Sequence, residues 1–171
     1  MSSIQQPAVR MHVETYRNTP FENPEPHFLD GELEPRTLGE KPHSDLTALL
    51  TEIFAGTKWR ANQEIRVRIT PDRIRVADVA VVPREPKSNE KELTYALAIF
   101  EILSPGQSVG SQLTHALFRD YATLNIPHLF VLDPATKRCW QWIDGKFSLY
   151  APPVISIATV NIALEELWEG I

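Results

Sequence analysis

The stretch from Leu97 to Asp133 constrains the fold more than any other. LAIFEILS (Leu97 to Ser104) is an apolar run of strand length, and HLFVLD (His128 to Asp133) is a second one. Between them, after a Ser-Pro-Gly break, SQLTHALFRDYATLNI repeats apolar residues at helical spacing, with Leu113, Ala116, Leu117, Tyr121 and Leu124 on one side. Strand, helix and strand in that order make a βαβ unit, with two parallel strands joined by a right-handed crossover. The chain is therefore expected to fold as an α/β (α+β) domain around a mixed sheet.

The flanking segments fit that frame. HFLDGELEP reads as strand, turn and strand around Asp30-Gly31, a dipeptide that favours tight hairpins. SDLTALLTEIFAG places Leu46, Leu49, Leu50, Ile53 and Phe54 on one helical stripe, with Ser44 as the expected N-cap and Gly56 as the stop. EIRVRI alternates strictly and leads through the turn Thr70-Pro71-Asp72-Arg73 into a second strand, IRVADVAVVP. REPKSNEKE is a charged loop, CWQWI and KFSLY flank the turn Asp144-Gly145, and VISIAT with NIALEELWEG supplies a last strand and a short helix. Residues 1–27 contain NTPFENPEP, whose prolines resist regular structure, so they are expected to form an irregular arm before one domain at 28–171.

Composition removes several function classes. The single cysteine, Cys139, excludes an internal disulfide and any cysteine-based zinc cluster, and the histidines lack zinc-ligand spacing. No apolar run approaches the ~20 residues that span a bilayer, and MSSIQQPAVRMHVETY has no signal-peptide core, so a cytoplasmic protein without a membrane partner is expected. A net charge of −5 gives no overall attraction to nucleic acid. Residues 58–87 differ, with eight Lys or Arg against four Asp or Glu, a net of +4. That basic hairpin could track a phosphate backbone, or its arginines could simply solubilise an edge strand. Trp140 and Trp142 are expected to cover a sheet face or a dimer contact.

The chemical signal is a pair of acids. Asp78 lies within VADVAVV and Glu101 within AIFEIL, each the only charge in its apolar run. A buried, unpaired carboxylate is strongly unfavourable, so each must be neutralised, paired or bound to a cation. On sheet strands the two could hold a hard divalent ion, with water and a substrate phosphate completing its shell. Alternatively, Asp78 could pair with Arg66 or Arg75, and Glu101 could cap a helix.

The pattern LDGELE, HSDL, VADVAVV, FEILSP and RDYATLNIPHLFVLDP resembles the Uma-type restriction endonuclease family, a branch of the PD-(D/E)XK phosphodiesterases. The likeness runs from about Phe28 to the C-terminus and is densest at FEILSP and from Tyr121 to Pro134. It implies a restriction-endonuclease-like mixed sheet flanked by helices, with an added C-terminal hairpin. It also implies an endonuclease acting on DNA, with Mg²⁺ or Mn²⁺ held by Asp78, Glu101 and the backbone carbonyl of Ile102. His43 matches a histidine at the start of the first helix, and Arg66 is an accessory candidate. A homodimer would fit double-strand cutting.

Four positions depart from the family pattern. The lysine expected two residues after the second acid is Leu103, and the helix position to which relatives move it is Leu117. A glutamate expected four residues before the hairpin glycine is His27, and Ala77 stands where a proline usually precedes the aspartate. Altered catalysis, or a non-catalytic descendant that binds nucleic acid or protein, is the competing expectation. Arg60 and Arg66 are the bases considered as substitutes for the lysine.

Overall fold

The computed structural model describes residues 10–86 and 91–171. In chain order, a short helix α1 (Val13–Asn18) precedes the hairpin β1 (His27–Leu29) and β2 (Glu32–Glu34). Asp30 and Gly31 adopt φ of 52° and 95°, the paired positive values of a type I′ turn. Helix α2 (Lys41–Phe54) leads to a long hairpin, β3 (Trp59–Thr70) and β4 (Arg73–Pro83). Next come β5 (Glu92–Leu93), β6 (Ala98–Ile102), α3 (Gln112–Ala122) and β7 (His128–Asp133). The hairpin β8 (Arg138–Ile143) and β9 (Lys146–Leu149) turns at Asp144-Gly145, again with positive φ at both residues. A separate hairpin, β10 (Val154–Ile157) and β11 (Val160–Ala163), runs into the terminal helix α4 (Leu164–Glu169).

The main sheet is mixed. From β2 its order is β2-β1-β4-β6-β7-β8-β9, with β3 along the other edge of β4. β6 and β7 pair in parallel on either side of α3, as the βαβ pattern requires, and the remaining pairs on that path are antiparallel. Alternation along β4 divides the core in two. Val79 and Val81 face α2 and α4, meeting Leu46, Leu50, Phe100 and Phe130. Ala80 and Val82 face α3, where Phe118 and Tyr121 pack on Ile99 and Val131. The result is a sheet flanked by helices.

Several local expectations change. Within the N-terminal arm, residues 13–18 are helical because Tyr16 is wholly buried against Phe28 and Ile74, stacked 5.1 Å from the Phe28 ring. α2 starts three residues before Ser44; Pro42 occupies its first turn, where a missing N–H costs nothing, and Ser44 lies inside. VNIA pairs as β11 before α4 begins, so the closing segment is a hairpin followed by a helix. Leu113 is 66% exposed, so the buried side of α3 centres on Phe118 and Tyr121. Part of the charged loop, residues 87–90, lies outside the described residues.

The basic hairpin is largely spent on internal contacts. Arg66 pairs with Glu25 and lies 4.5 Å over the Tyr16 ring. Arg73 and Arg75 both bind Asp120 on α3, and Arg84 donates to the carbonyls of Phe54, Thr57 and Trp59.

Candidate functional site

Strand β4 lacks a strand partner over a short part of one edge. β3 fills its other edge, while on this one β1 pairs with Arg73 and Ile74 and β6 pairs with Val79 to Val81. Residues 75–78 therefore face a gap between the ends of β1 and β6. Buried backbone groups there still need partners. His27 supplies one, its Nδ1 accepting from the Val76 N–H at 2.9 Å. Asp78 supplies another, its Oδ2 accepting from the Ile102 N–H at 2.8 Å.

The register brings acids together across the gap. Val79 pairs with Phe100, so the next position in that ladder sets Asp78 opposite Glu101. On the other edge, Gln63 pairs with Val79 and Ile65 with Ala77, which sets Glu64 opposite Asp78. Three carboxyl groups thus line up across β3, β4 and β6. Glu64 has a φ of 48° inside its strand, a left-handed conformation that costs a non-glycine residue roughly 1–3 kcal/mol and recurs at functional sites.

Two basic side chains meet this row. Arg36, from the loop between β2 and α2, donates from Nη2 to Asp78 Oδ1 at 2.6 Å and from both terminal nitrogens to the Glu64 carboxylate. Its side chain is only 10% exposed. His43, in the first turn of α2, brings Nε2 to 3.2 Å from Asp78 Oδ2. On the α3 side, the Tyr121 hydroxyl donates to Glu101 Oε1 at 2.7 Å.

The two central acids separate in proton affinity. Burial opposes the charge on Asp78, but the His43 hydrogen bond, the Arg36 charge and the Ile102 N–H outweigh it and hold its pKa below the ordinary carboxylate value. Burial and the neighbouring Asp78 charge push Glu101 well above its usual range, only partly offset by Arg36 and Tyr121. One acid is ionised while its partner favours the proton, the expected behaviour of close carboxyls. For His43, burial disfavours the imidazolium, yet the Asp78 hydrogen bond and charge raise its pKa above the ordinary value. His27 is driven the other way, by burial and then by Arg75 and Arg36. It is held neutral, and because Nδ1 accepts from Val76, Nε2 carries its proton.

Asp78, Glu101, Ile102 and His43 thus line one cleft of about 120 Å³, together with Arg36 and His27. Arg66 is not among its lining residues; it is turned to the N-terminal arm, and Arg60 sits beside Val82, well along the strand from Asp78. Leu117 does line the cleft, so the helix position where the resemblance led a lysine to be expected faces the site with an apolar side chain. Sequence reasoning missed Arg36, Glu64 and Tyr121, and saw His27 only as a departure. The available signal was weak: Arg36 is the lone base between the first hairpin and α2's start at Lys41.

The donor set suits a hard divalent ion. Asp78, Glu101 and the Ile102 carbonyl offer oxygen ligands, and an ionised carboxylate has lone pairs beyond those taken by Arg36, His43 and Ile102. Among the described residues no group of three or more His, Cys, Asp or Glu is arranged around a metal position. Two carboxylates with waters and a phosphate match the habit of Mg²⁺, which keeps part of its hydration shell.

Comparison with known proteins agrees with this architecture. A crystal structure from Anabaena variabilis, described as a putative nuclease belonging to DUF820, superposes with a TM-score of 0.73 at 15% identity, covering 94% of this chain and 98% of its own. A cryo-EM structure of a DrdV–DNA complex aligns with 71% of this chain and 10% of its own, at 10% identity and a TM-score of 0.42. No curated protein matches the chain. Among the described residues, no helix is long and apolar enough to cross a membrane. The model of the Uma2 family, described as "Putative restriction endonuclease", matches residues 13–169, which takes in α1 as well as the sheet, and the chain belongs to that family.

Proposed function

We propose that this chain is a metal-dependent endodeoxyribonuclease that hydrolyses DNA phosphodiester bonds at the gap in β4. The observation that carries the reading is the facing pair Asp78 and Glu101, both buried and both lining one cleft. Mg²⁺ or Mn²⁺, when bound, supplies Lewis acidity and a water of lowered pKa. Asp78, Glu101 and the Ile102 carbonyl would hold the ion. His43 and the Ile102 N–H fix the Asp78 carboxylate, and Tyr121 fixes Glu101. Leu117 walls the cleft with apolar surface. Hydrolysis adds one water across a P–O bond, leaving a phosphate monoester on one strand end and a hydroxyl on the other.

Supercoiled plasmid incubated with the protein in Mg²⁺ and in Mn²⁺ tests the reading. Nicked or linear product is expected, falling at least ~100-fold in Asp78→Ala and Glu101→Ala, about 2.7 kcal/mol of transition-state stabilisation. Cutting that persists in both variants removes the assigned site.

A second reading is favoured by Leu103 and Leu117, which leave both lysine positions of the family pattern apolar. In it the scaffold binds nucleic acid or protein without cutting. Salt-sensitive duplex binding with no cleavage in either metal would select it. Cutting of both strands would further call for two copies acting together, which light scattering of the DNA-bound protein measures.

A further inference from the structure

The most unusual feature of the cleft is a cation supplied from outside the sheet. Arg36 reaches over the β4 edge from the loop before α2 and binds two acids at once. Its contacts are unequal. Glu64 receives both terminal nitrogens, Nη1 closely and Nη2 at 3.3 Å, whereas Asp78 receives a single bond from Nη2 at 2.6 Å. Nε has no hydrogen-bond partner among the described residues. Glu64 makes this pair from a left-handed backbone position, φ 48°, within its strand. A bidentate Arg–carboxylate pair is the stronger and more specific arrangement, so Glu64 is the firm anchor and Asp78 the exchangeable partner.

We infer that Arg36, anchored by Glu64, is the resident cation of this cleft, holding Asp78 ready as a ligand and offering its guanidinium to an anionic phosphodiester where Leu103 and Leu117 offer none. The inference rests on the nuclease reading above but makes separate demands. While the cleft is without metal, the guanidinium balances Asp78. When Asp78 turns to a divalent ion, Glu64 retains Arg36 beside the cleft, so the charge stays where a phosphate enters. Arg36 is the charge partner of Asp78 and a contact residue toward phosphate. Glu64 positions Arg36.

The test uses the full chain with Arg36→Met, Arg36→Lys and Glu64→Gln, each checked by circular dichroism. A fluorescein-labelled 20-base-pair duplex is titrated in EDTA and in Ca²⁺ across a salt series, and Mn²⁺ binding is followed by calorimetry. Arg36→Met is expected to weaken duplex binding at least tenfold and reduce the salt slope by about 1, the loss of one phosphate contact. Arg36→Lys should recover binding to within about threefold, because a point charge remains. Mn²⁺ should bind Arg36→Met at least as tightly as the parent, since a competing cation has gone. It should bind Glu64→Gln more weakly, since Arg36 then depends on Asp78 alone. Unchanged duplex affinity and salt slope in Arg36→Met would overturn the inference, as would loss of Mn²⁺ binding in that variant.

If Arg36→Met does not fold, the double variant Arg36→Gln with Glu64→Gln removes the pair together and carries the same duplex expectation. The nuclease reading fails separately. Cleavage that survives Asp78→Ala refutes that reading, whereas normal metal binding with an unaltered salt slope in Arg36→Met refutes only the role of Arg36.

Discussion

Arg75 offers the sharpest stability test, because its surroundings dictate an order of effects. Its side chain is 1% exposed and bridges Asp120 on α3, Nε to Oδ2 at 2.6 Å, and Glu34 on β2, Nη1 to Oε1 at 2.8 Å. The bridge ties the first hairpin, β4 and α3 together around the cleft. Arg75→Met keeps the apolar stem and removes the buried cation. Asp120 then still has Arg73, at 3.0 and 3.2 Å, and Glu34 is 29% exposed and can turn to water. The expected loss is about 1–3 kcal/mol, the range for a charge-assisted hydrogen bond. Asp120→Ala does the opposite: it strands a fully buried guanidinium on one remaining partner, at a cost of about 3–5 kcal/mol. Urea unfolding checks this. With an m-value near ~2 kcal/mol/M, the midpoint should fall by roughly 1 M for Arg75→Met and roughly 2 M for Asp120→Ala. The double variant should cost about 1–3 kcal/mol less than the sum, because it leaves no orphaned charge. Equal losses in the two single variants, or strict additivity, would refute the reasoning.

Three further outcomes are expected. A Cβ added at Gly39 would sit 2.6 Å from His43 Cγ, so Gly39→Ala should displace the imidazole from Asp78 and cost about 1–3 kcal/mol; an unchanged melting temperature would count against that contact. His43 has a folded pKa raised above its ordinary 6.5, so its contribution to stability is full below that pH and is lost as pH rises through the folded value. In EDTA, urea midpoints should therefore decline above pH ~6.5 less steeply in His43→Ala than in the parent, and equal slopes would contradict the pairing. Leu117→Lys places an ammonium on the cleft wall and should raise plasmid cutting at least ~tenfold, about 1.4 kcal/mol; a folded variant with parental activity would argue against an electrostatic deficit there.

Much of the fold was legible because its signals are local. The βαβ unit appears as two apolar runs around a helical stripe, and two of the three short hairpins announce themselves through Asp-Gly turns. Helix α1 was not legible. Six residues cannot sustain a helix alone, and this one exists because the Tyr16 ring is buried against distant Phe28 and Ile74. The start of α2 was misplaced because a serine suggested a cap, whereas the chain uses Pro42 in the first turn instead.

The amino-acid order alone determined that Asp78 and Glu101 would be costly buried charges, since each interrupts an apolar strand, and strand burial follows from local pattern. It also determined that no lysine would stand at Leu103 or Leu117. Tertiary structure decided what answers those charges. Which acids face one another depends on the register of three strands, and which cation reaches them depends on the path of a loop 42 positions earlier in the chain. Arg66, two positions from Glu64 on the same strand, is drawn to Glu25, while Arg36 crosses the gap in β4 to meet Glu64 and Asp78. Burial is written in short-range periodicity; the pairing of buried charges is settled only when segments far apart in the chain close around the same low-dielectric space.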